Sequence, residues 1–359
     1  MKPGKRSIRF WTGLLICLLS GCFHQEVVLL QPLPTATRPV PGQIGEHFKV
    51  YFSRPEDPAS RAYRGGPDQQ LVRALDRALF QVDMAVYNLN LWSIRDALIR
   101  AHRRGVQVRL VADQDHLDGR EFQQLLAAGI PIRADTGAGL MHHKFVVLDG
   151  SEVWTGSMNL TVNGAYRNDN HLLRIRSRRL AENYTAEFEE MFEHGFFGPD
   201  VLENTPYPVL DLDGIRVETY FSPDDQAEAA VLDALGSARE RIDFLAFAFT
   251  SDPIGRELRE SASRGVLVRG VFDSSQLGSG WGSEYGGLLK AGIQVCRDSR
   301  VEKMHHKVMV IDSRIVICGS YNFSRSAEEI NDENLLIIDD PGLAGEFVGE
   351  FERLYSACR

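Results

Sequence analysis

Two hydrophobic periods alternate along this chain, and the order of alternation occurs twice. Val50-Tyr51-Phe52-Ser53 and Thr219-Tyr220-Phe221-Ser222 open the two copies as strand-like segments. Residues 71–80 and 231–240 follow with the apolar spacing of an amphipathic helix. Residues 82–87 and 242–247 are short apolar runs of buried-strand character. Next, one helix ends at Arg104-Gly105 and its twin at Arg264-Gly265, where a glycine suits the left-handed residue after a helix. An alternating strand begins at once after each glycine, and Asp113 and Asp273 end those strands. Gly129 and Gly292 each close another helix before a short strand, and amphipathic helices near 180–192 and 343–354 end the copies. Each half is predicted as β-α-β-α-β-α-β-β-β-α, an α/β unit with helices layered over a largely buried sheet. A repeat this long denotes duplication, because solenoid repeats run to roughly 20–50 residues.

The expected domains are residues 46–204 and 214–359, joined by a linker at 205–213 where Pro206 and Pro208 interrupt the pattern. Pro32, Pro34, Pro39 and Pro41 make residues 22–45 a tether rather than a folded piece. Ahead of it, Lys2, Lys5, Arg6 and Arg9 precede an apolar run at 11–19 too short to span a bilayer, the pattern of an export signal over residues 1–21. Leu19-Ser20-Gly21-Cys22 resembles the bacterial lipoprotein box. That resemblance implies lipidation of Cys22 and an exported, membrane-anchored protein. Phe23, in place of Asp, implies the periplasmic face of the outer membrane.

Composition is that of a globular chain, with 43% hydrophobic and 25% charged residues in 359. Net charge is −9, and removal of the four leader cations takes it to −13. A chain this acidic lacks the overall field of a protein that tracks nucleic acid, although a local basic cleft is compatible with it. Beyond the leader stand Cys296, Cys318 and Cys358, an odd number with no zinc spacing. They read as small buried hydrophobes with one terminal thiol, and Cys296–Cys318 is the pairing considered.

The chemistry sits in two matching stretches. His142, Lys144 and Asp149 form H-x-K-x4-D, followed by Gly156, Ser157 and Asn159 as G-S-x-N. His305, Lys307 and Asp312, then Gly319, Ser320 and Asn322, repeat it at identical spacing 163 positions later. Side chains alternate along a strand, so His142 and Lys144 share a face that His143 leaves, as His305 and Lys307 do relative to His306. That divergence argues against a metal site at either His-His pair. Lys supplies a point charge for phosphate oxygens, and Ser and Asn supply hydrogen bonds. Imidazole is both nucleophilic and able to move protons near neutral pH. One imidazole cannot attack phosphorus and protonate the oxygen departing on the opposite side, whereas two can. The halves are therefore expected to face each other about a pseudo-twofold axis with a phosphodiester between them. Two lysines and the amide donors offset the developing charge, so no metal or other cofactor is required.

These motifs, and nearly all of residues 46–356, resemble the phospholipase D superfamily in its two-motif, single-chain form. The resemblance implies a metal-independent phosphodiesterase or transphosphatidylase working through a phosphohistidine. His142 is then the nucleophile and His305 the general acid. Lys144, Lys307, Asn159 and Asn322 hold phosphate oxygens, with Ser157 and Ser320 binding or supporting, and Asp149 and Asp312 support the motifs. The family's N-x-E follows the second copy as Asn331-Asp332-Glu333, but the first reads Asn168-Asp169-Asn170. If Glu333 orients one imidazole, the two histidines are electrostatically unequal. Trp281 and Tyr285, in the Gly-rich segment 278–287, are expected to rim the site, with a short acidic loop at 113–119 opposite. The expected substrate is a phospholipid, hydrolysed at its head group to phosphatidic acid. The alternatives are nucleic-acid cleavage, a cardiolipin-synthase-like phosphatidyl transfer, and a non-enzymatic envelope scaffold.

Overall fold

A computed structural model describes residues 47–359, apart from Ala138, residues 278–281, Ser299, Val301 and Arg359. The export signal, Cys22 and the tether lie outside the described residues, as does Trp281.

The first half runs β1 (Phe48–Phe52), α1 (Pro58–Arg61), α2 (Asp68–Leu75), β2 (Gln81–Val86), α3 (Trp92–Arg103), β3 (Gln107–Asp113), α4 (Arg120–Ala127) and β4 (Ile132–Asp135). It continues with β5 (Lys144–Leu148), β6 (Glu152–Gly156), α5 (Val162–Tyr166), β7 (His171–Arg176) and α6 (Arg178–Glu189). The second half runs β8 (Val209–Leu212), β9 (Ile215–Ser222), α7 (Ala227–Gly236), β10 (Arg241–Ala246), α8 (Asp252–Ser263), β11 (Leu267–Asp273) and α9 (Tyr285–Lys290). Then come β12 (Gln294–Asp298), β13 (Lys307–Ile311), β14 (Ile315–Gly319), α10 (Arg325–Glu329), β15 (Glu333–Asp339) and α11 (Pro341–Ala357). Beyond the expected order the first half holds α1, α5 and β7, and the second holds β8, α10 and β15. Within the segment expected as a linker, residues 209–212 form β8, which pairs with β9 at a sheet edge.

Sheet order is β1-β7-β6-β5-β2-β3-β4 in one half and β12-β11-β10-β13-β14-β15-β9-β8 in the other. In each, three parallel strands join an antiparallel set, and the motif strand (β5 or β13) pairs antiparallel with the first strand of the parallel set (β2 or β10). Gly105 and Gly265 take φ of +92° and +93°, as expected for residues that stop a helix and start a strand.

Three apolar clusters define the layers. α2, α3 and α4 cover the outer face of the first sheet through Leu71, Ile94, Leu98 and Phe122. α7, α8 and α9 cover the second through Val231, Ile254, Leu258 and Leu288. Between the sheets lies one shared core, in which α6 contributes Leu180, Tyr184 and Phe188 and α11 contributes Leu343, Phe347 and Phe351. The two α/β units therefore share their middle helical layer. Burying each such aromatic contributes about 1.5–3 kcal/mol, so the seam is held by hydrophobic packing before any polar contact is counted.

Two expectations fail. The helix expected over 71–80 stops at Leu75, because the N–H groups of Leu79, Phe80 and Gln81 all donate to the Asp149 carboxylate at 2.8–3.2 Å. The disulfide joins Cys296 to Cys358, with Cα atoms 6.0 Å apart, and Cys318 is a buried free thiol. Three strands separate β12 from β14 at about 4.8 Å each, so Cys296 and Cys318 are far beyond disulfide reach, whereas the end of α11 returns over β12. Burial pushes the Cys318 thiol up to about 12. Cys358→Ser is expected to cost about 2–4 kcal/mol of unfolding free energy, measured as a denaturant shift that reductant abolishes in the parent protein.

Candidate active site at the seam of the two halves

Each motif strand is anchored at both ends. At the far end Asp149 and Asp312 take left-handed φ of +49° and +50° in the hairpin turn. Asp312 accepts the N–H groups of Arg239, Glu240 and Arg241 at 2.8–2.9 Å, the counterpart of Asp149 with residues 79–81. Both carboxylates therefore tie the motif strand to its neighbour, at the opposite end from the histidines. That position is away from any phosphate held between the imidazoles. Asp149→Ala and Asp312→Ala are each expected to cost about 1–3 kcal/mol, seen as a lowered denaturant midpoint. Their effect on kcat should be far smaller than that of the histidine variants.

At the near end Asp113 and Asp273, which close β3 and β11, accept the N–H of Met141 and Met304 at 3.2 and 2.8 Å. The residue before each histidine is thereby fixed from within its own half. The histidine itself is fixed from the other half: His142 N–H donates to Asp332 O at 3.0 Å, and His305 N–H donates to Asp169 O at 2.9 Å. Asp332 and Asp169 return the bond by donating to Leu140 O and Lys303 O. Residues 168–170 and 331–333 thus each form a short bridge to the other half's motif, through Asp169 with Met304 and Asp332 with Met141.

Side chains repeat this crossover. His142 Nδ1 lies 2.7 Å from Glu333 Oε2, and His305 Nδ1 lies 2.9 Å from Asn170 Oδ1 and 3.1 Å from Ser157 O. Glu333 and Asn170 occupy equivalent positions in the two halves, so one imidazole leans on a carboxylate and the other on an amide. Lys144 Nζ donates to His142 O at 2.6 Å, and Lys307 Nζ to His305 O at 3.0 Å. Tyr87 and Phe247 face the two imidazoles at 5.1 and 4.4 Å and carry Lys144 and Lys307 over their rings.

His143 and His306 point the other way, into the shared core, as strand parity requires. They meet Glu187 of α6 at 2.9 Å and Glu350 of α11 at 3.1 Å. Ser157 and Ser320 are fully buried and brace the bridge segments: Ser157 Oγ donates to Asn170 Oδ1, and Asn334 N–H donates to Ser320 Oγ. They support the site from behind. Gly156 and Gly319 let this happen, since a Cβ at either would meet the carbonyl oxygen of His171 or Asn334. Asn159 and Asn322 lie half-buried just beyond, each with a side-chain oxygen that has no partner among the described residues.

The site is nearly sealed, and burial governs its charges. His142 and His305 are each 7% exposed. Burial, reinforced by Lys144 and Lys307, holds both imidazoles well below their ordinary value and therefore neutral. Burial lowers Lys144 to about 7 and Lys307 well below its usual range. Burial raises Glu333 to about 7 against the pull of the lysines. An anion placed between the imidazoles reverses the penalty for both lysines at once. Tyr285, expected at the rim, instead packs edge-on against Phe272 of β11 beneath Arg297.

A family model described as "Cardiolipin synthase, PLD-like domain" matches residues 71–192 and again 231–355. A mitochondrial cardiolipin hydrolase of Homo sapiens is 40% identical over 131 residues, 36% of this chain and 52% of that protein. A phospholipase D of Rickettsia bellii is 32% identical over 166 residues, 46% of this chain and 81% of the relative. This chain spans about half the length of the mitochondrial relatives it matches. In fold, phosphatidylserine synthase of Haemophilus influenzae aligns with a TM-score of 0.64 over 88% of this chain and 89% of that one, at 13% identity. With one domain model matching each half around paired H-x-K-x4-D motifs, the chain belongs to the phospholipase D-like domain family.

Proposed function

We propose that this protein is a phosphodiesterase of the phospholipase D type that hydrolyses phospholipid head groups through a phosphohistidine. The observation that carries the reading is the crossed tethering of His142 and His305, each held at Nδ1 by the other half, so that Nε2 is the atom each ring has to offer a substrate, that of His305 beside Lys307 Nζ at 3.3 Å. With its Nδ1–H donated to Glu333, His142 presents an unprotonated Nε2 for attack on phosphorus. A P–N bond forms as the P–O bond to the head-group alcohol breaks, and His305 passes its proton to the departing oxygen. His305 acquires that proton with the substrate, whose negative charge offsets the two lysines that otherwise keep the ring neutral. In the second step His305 takes a proton from water, water oxygen attacks phosphorus, and the P–N bond breaks to release phosphatidic acid and neutral His142. Lys144 and Lys307 hold the phosphoryl oxygens in both steps, with Asn159 and Asn322 beside them.

The phospholipid reading draws support from the net charge of −9 and from relatives whose names refer to cardiolipin hydrolysis and phospholipase D. Location at a periplasmic membrane surface, through lipidated Cys22, fits the disulfide between Cys296 and Cys358, since such bonds persist in oxidising compartments. The deciding experiment is product analysis after incubation with phospholipid vesicles in EDTA, with single-stranded DNA in parallel. Phosphatidic acid is the expected product. DNA fragments without lipid turnover would replace the phospholipid reading with a nuclease, and phosphatidyl transfer to glycerol in preference to water would make the protein a transferase.

A further inference from the structure

The two halves differ again one residue beyond Asn170 and Glu333. His171 follows the amide in the first half, and Asn334 follows the carboxylate in the second. His171 is fully buried. Its ring lies parallel to that of His306 with centroids 5.4 Å apart, and the two Nδ1 atoms are 3.2 Å apart. His171 Nδ1 also lies 3.3 Å from Ser157 Oγ. Behind His306 stands Glu350, which also accepts Arg54 and Arg353 at 2.7 Å each. Against the upward push of burial, the bonds from His306 and Arg353 hold the Glu350 carboxyl well below its usual range.

Donors and acceptors alone place the hydrogens along this chain. Asn170 Nδ2 donates to Gly164 O at 3.0 Å, so Oδ1 is the end turned to His305 and Ser157. That oxygen accepts Ser157 Oγ–H at 2.9 Å and His305 Nδ1–H at 2.9 Å. The Ser157 hydroxyl has then spent its one hydrogen, so His171 must be the donor where its Nδ1 meets Oγ. His306 Nδ1 shares that hydrogen, and the hydrogen of His306 lies on Nε2, toward Glu350. Burial, then the nearby His306 and Lys307, hold the His171 imidazole well below its ordinary value, so the ring is neutral. Every link from Glu350 to His305 thus has a donor at one end and an acceptor at the other.

We infer that His171, backed by His306 and Glu350, is a positioning residue for His305, because it holds the oxygen of the Asn170 amide toward that ring. His305 then keeps its hydrogen on Nδ1 and offers Nε2 for the proton it gives to the leaving group and later takes from water. The inference rests on the assignment of His305 to the leaving group. Lys307 Nζ, 3.4 Å from Nδ1 and 3.3 Å from Nε2, can donate only to Nε2 in this state. The two halves need different neighbours for a chemical reason. An amide has an acceptor at one end and donors at the other, so its orientation has to be chosen. Gly164 O chooses it from one side, and Ser157, held by His171, from the other. A carboxylate presents oxygen either way. Behind Glu333 there is accordingly no second imidazole, and the Nδ2 of Asn334 meets His143 Nδ1 at 3.3 Å.

The His171→Asn protein, which copies the residue of the second half, tests this. With bis(p-nitrophenyl) phosphate, whose leaving group needs no acid, its burst should keep the parent's rate, and the turnover that follows should fall about tenfold or more. With phosphatidylcholine, whose choline is a poor leaving group, kcat should fall by a similar factor at a KM within about twofold of the parent's. Burst amplitude counts folded sites, so a folding loss is read apart from a chemical one. His306→Gln, which keeps a donor for Glu350 but removes the Nδ1 contact, should give the same pattern should His171→Asn not fold. In an Asn170→Asp background oxygen faces the ring whichever way the group turns, and there His171→Asn should cost less than about twofold. Nitrogen NMR of the histidine rings, assigned with His305→Ala, reads the tautomer without turnover. It should place the His305 hydrogen on Nδ1 in the parent and shift it toward Nε2 in His171→Asn. A parent without a burst sinks the phosphohistidine reading, and the spectra still decide the inference. A burst slowed as much as lipid turnover, an equal loss in the Asn170→Asp background, or a parental His305 tautomer in His171→Asn overturns it. So does a His305 hydrogen found on Nε2 in the parent.

Discussion

His142→Ala and His305→Ala should each lower phosphodiester turnover by at least about 10⁴-fold, yet fail at different steps. With bis(p-nitrophenyl) phosphate the leaving group departs without help from an acid. The His305→Ala protein should therefore release about one nitrophenolate per enzyme and then stall, because no base remains to activate water. The His142→Ala protein should give no burst. Radiolabelled substrate quenched from the His305→Ala reaction should leave phosphate on His142 alone. A burst from the His142→Ala protein, or label on His305 in the parent, would invert the two roles while leaving the phosphohistidine in place. The difference follows from the Nδ1 partners, because only His142 has a carboxylate to stabilise the positive ring that phosphorylation creates.

Glu333→Gln should lower kcat by about a thousandfold and reshape the pH profile. In the parent the Glu333 carboxyl is raised to about 7 by burial. Below that pH it is protonated and donates to His142 Nδ1, which forces the imidazole proton onto Nε2 and blocks attack. Above it the carboxylate accepts the Nδ1 proton and Nε2 is free. Activity should therefore rise with pH through about 7 on the acidic limb of kcat/KM. On the alkaline limb it should fall as Lys144, lowered by burial to about 7, loses its charge. The narrow bell that results should lose its acidic limb in the Glu333→Gln protein and keep the alkaline one. Retention of both limbs would show that a different group sets the tautomer of His142.

Much of this site is legible in the sequence because duplication supplies an internal control. A single H-x-K-x4-D has little weight, whereas two copies in register fix strand, parity and the useful member of each His-His pair. Parity alone sends His143 and His306 into the core. The partners of the His142 and His305 rings are another matter. Asn170 differs from Glu333 in sequence, and nothing local shows that each reaches across to the histidine of the opposite half. Residues 171–176 place arginines at 174 and 176 among apolar positions, so their strand is obscured until β1 and β6 are seen on either side. Asp113 and Asp273 stand out only as strand ends, because their acceptor role depends on loops that return from some thirty residues on. The disulfide fails for a related reason: strand order, which local periodicity does not contain, decides which cysteines meet.

The unequal pair at positions 170 and 333 has an evolutionary reach. Two identical subunits meeting on a twofold axis must present the same neighbour to both rings, so nucleophile and acid can part company only dynamically, after substrate has chosen a side. Fusion into one polypeptide lifts that constraint, and a substitution in one copy can commit each histidine to a fixed task. Direction of entry then becomes heritable.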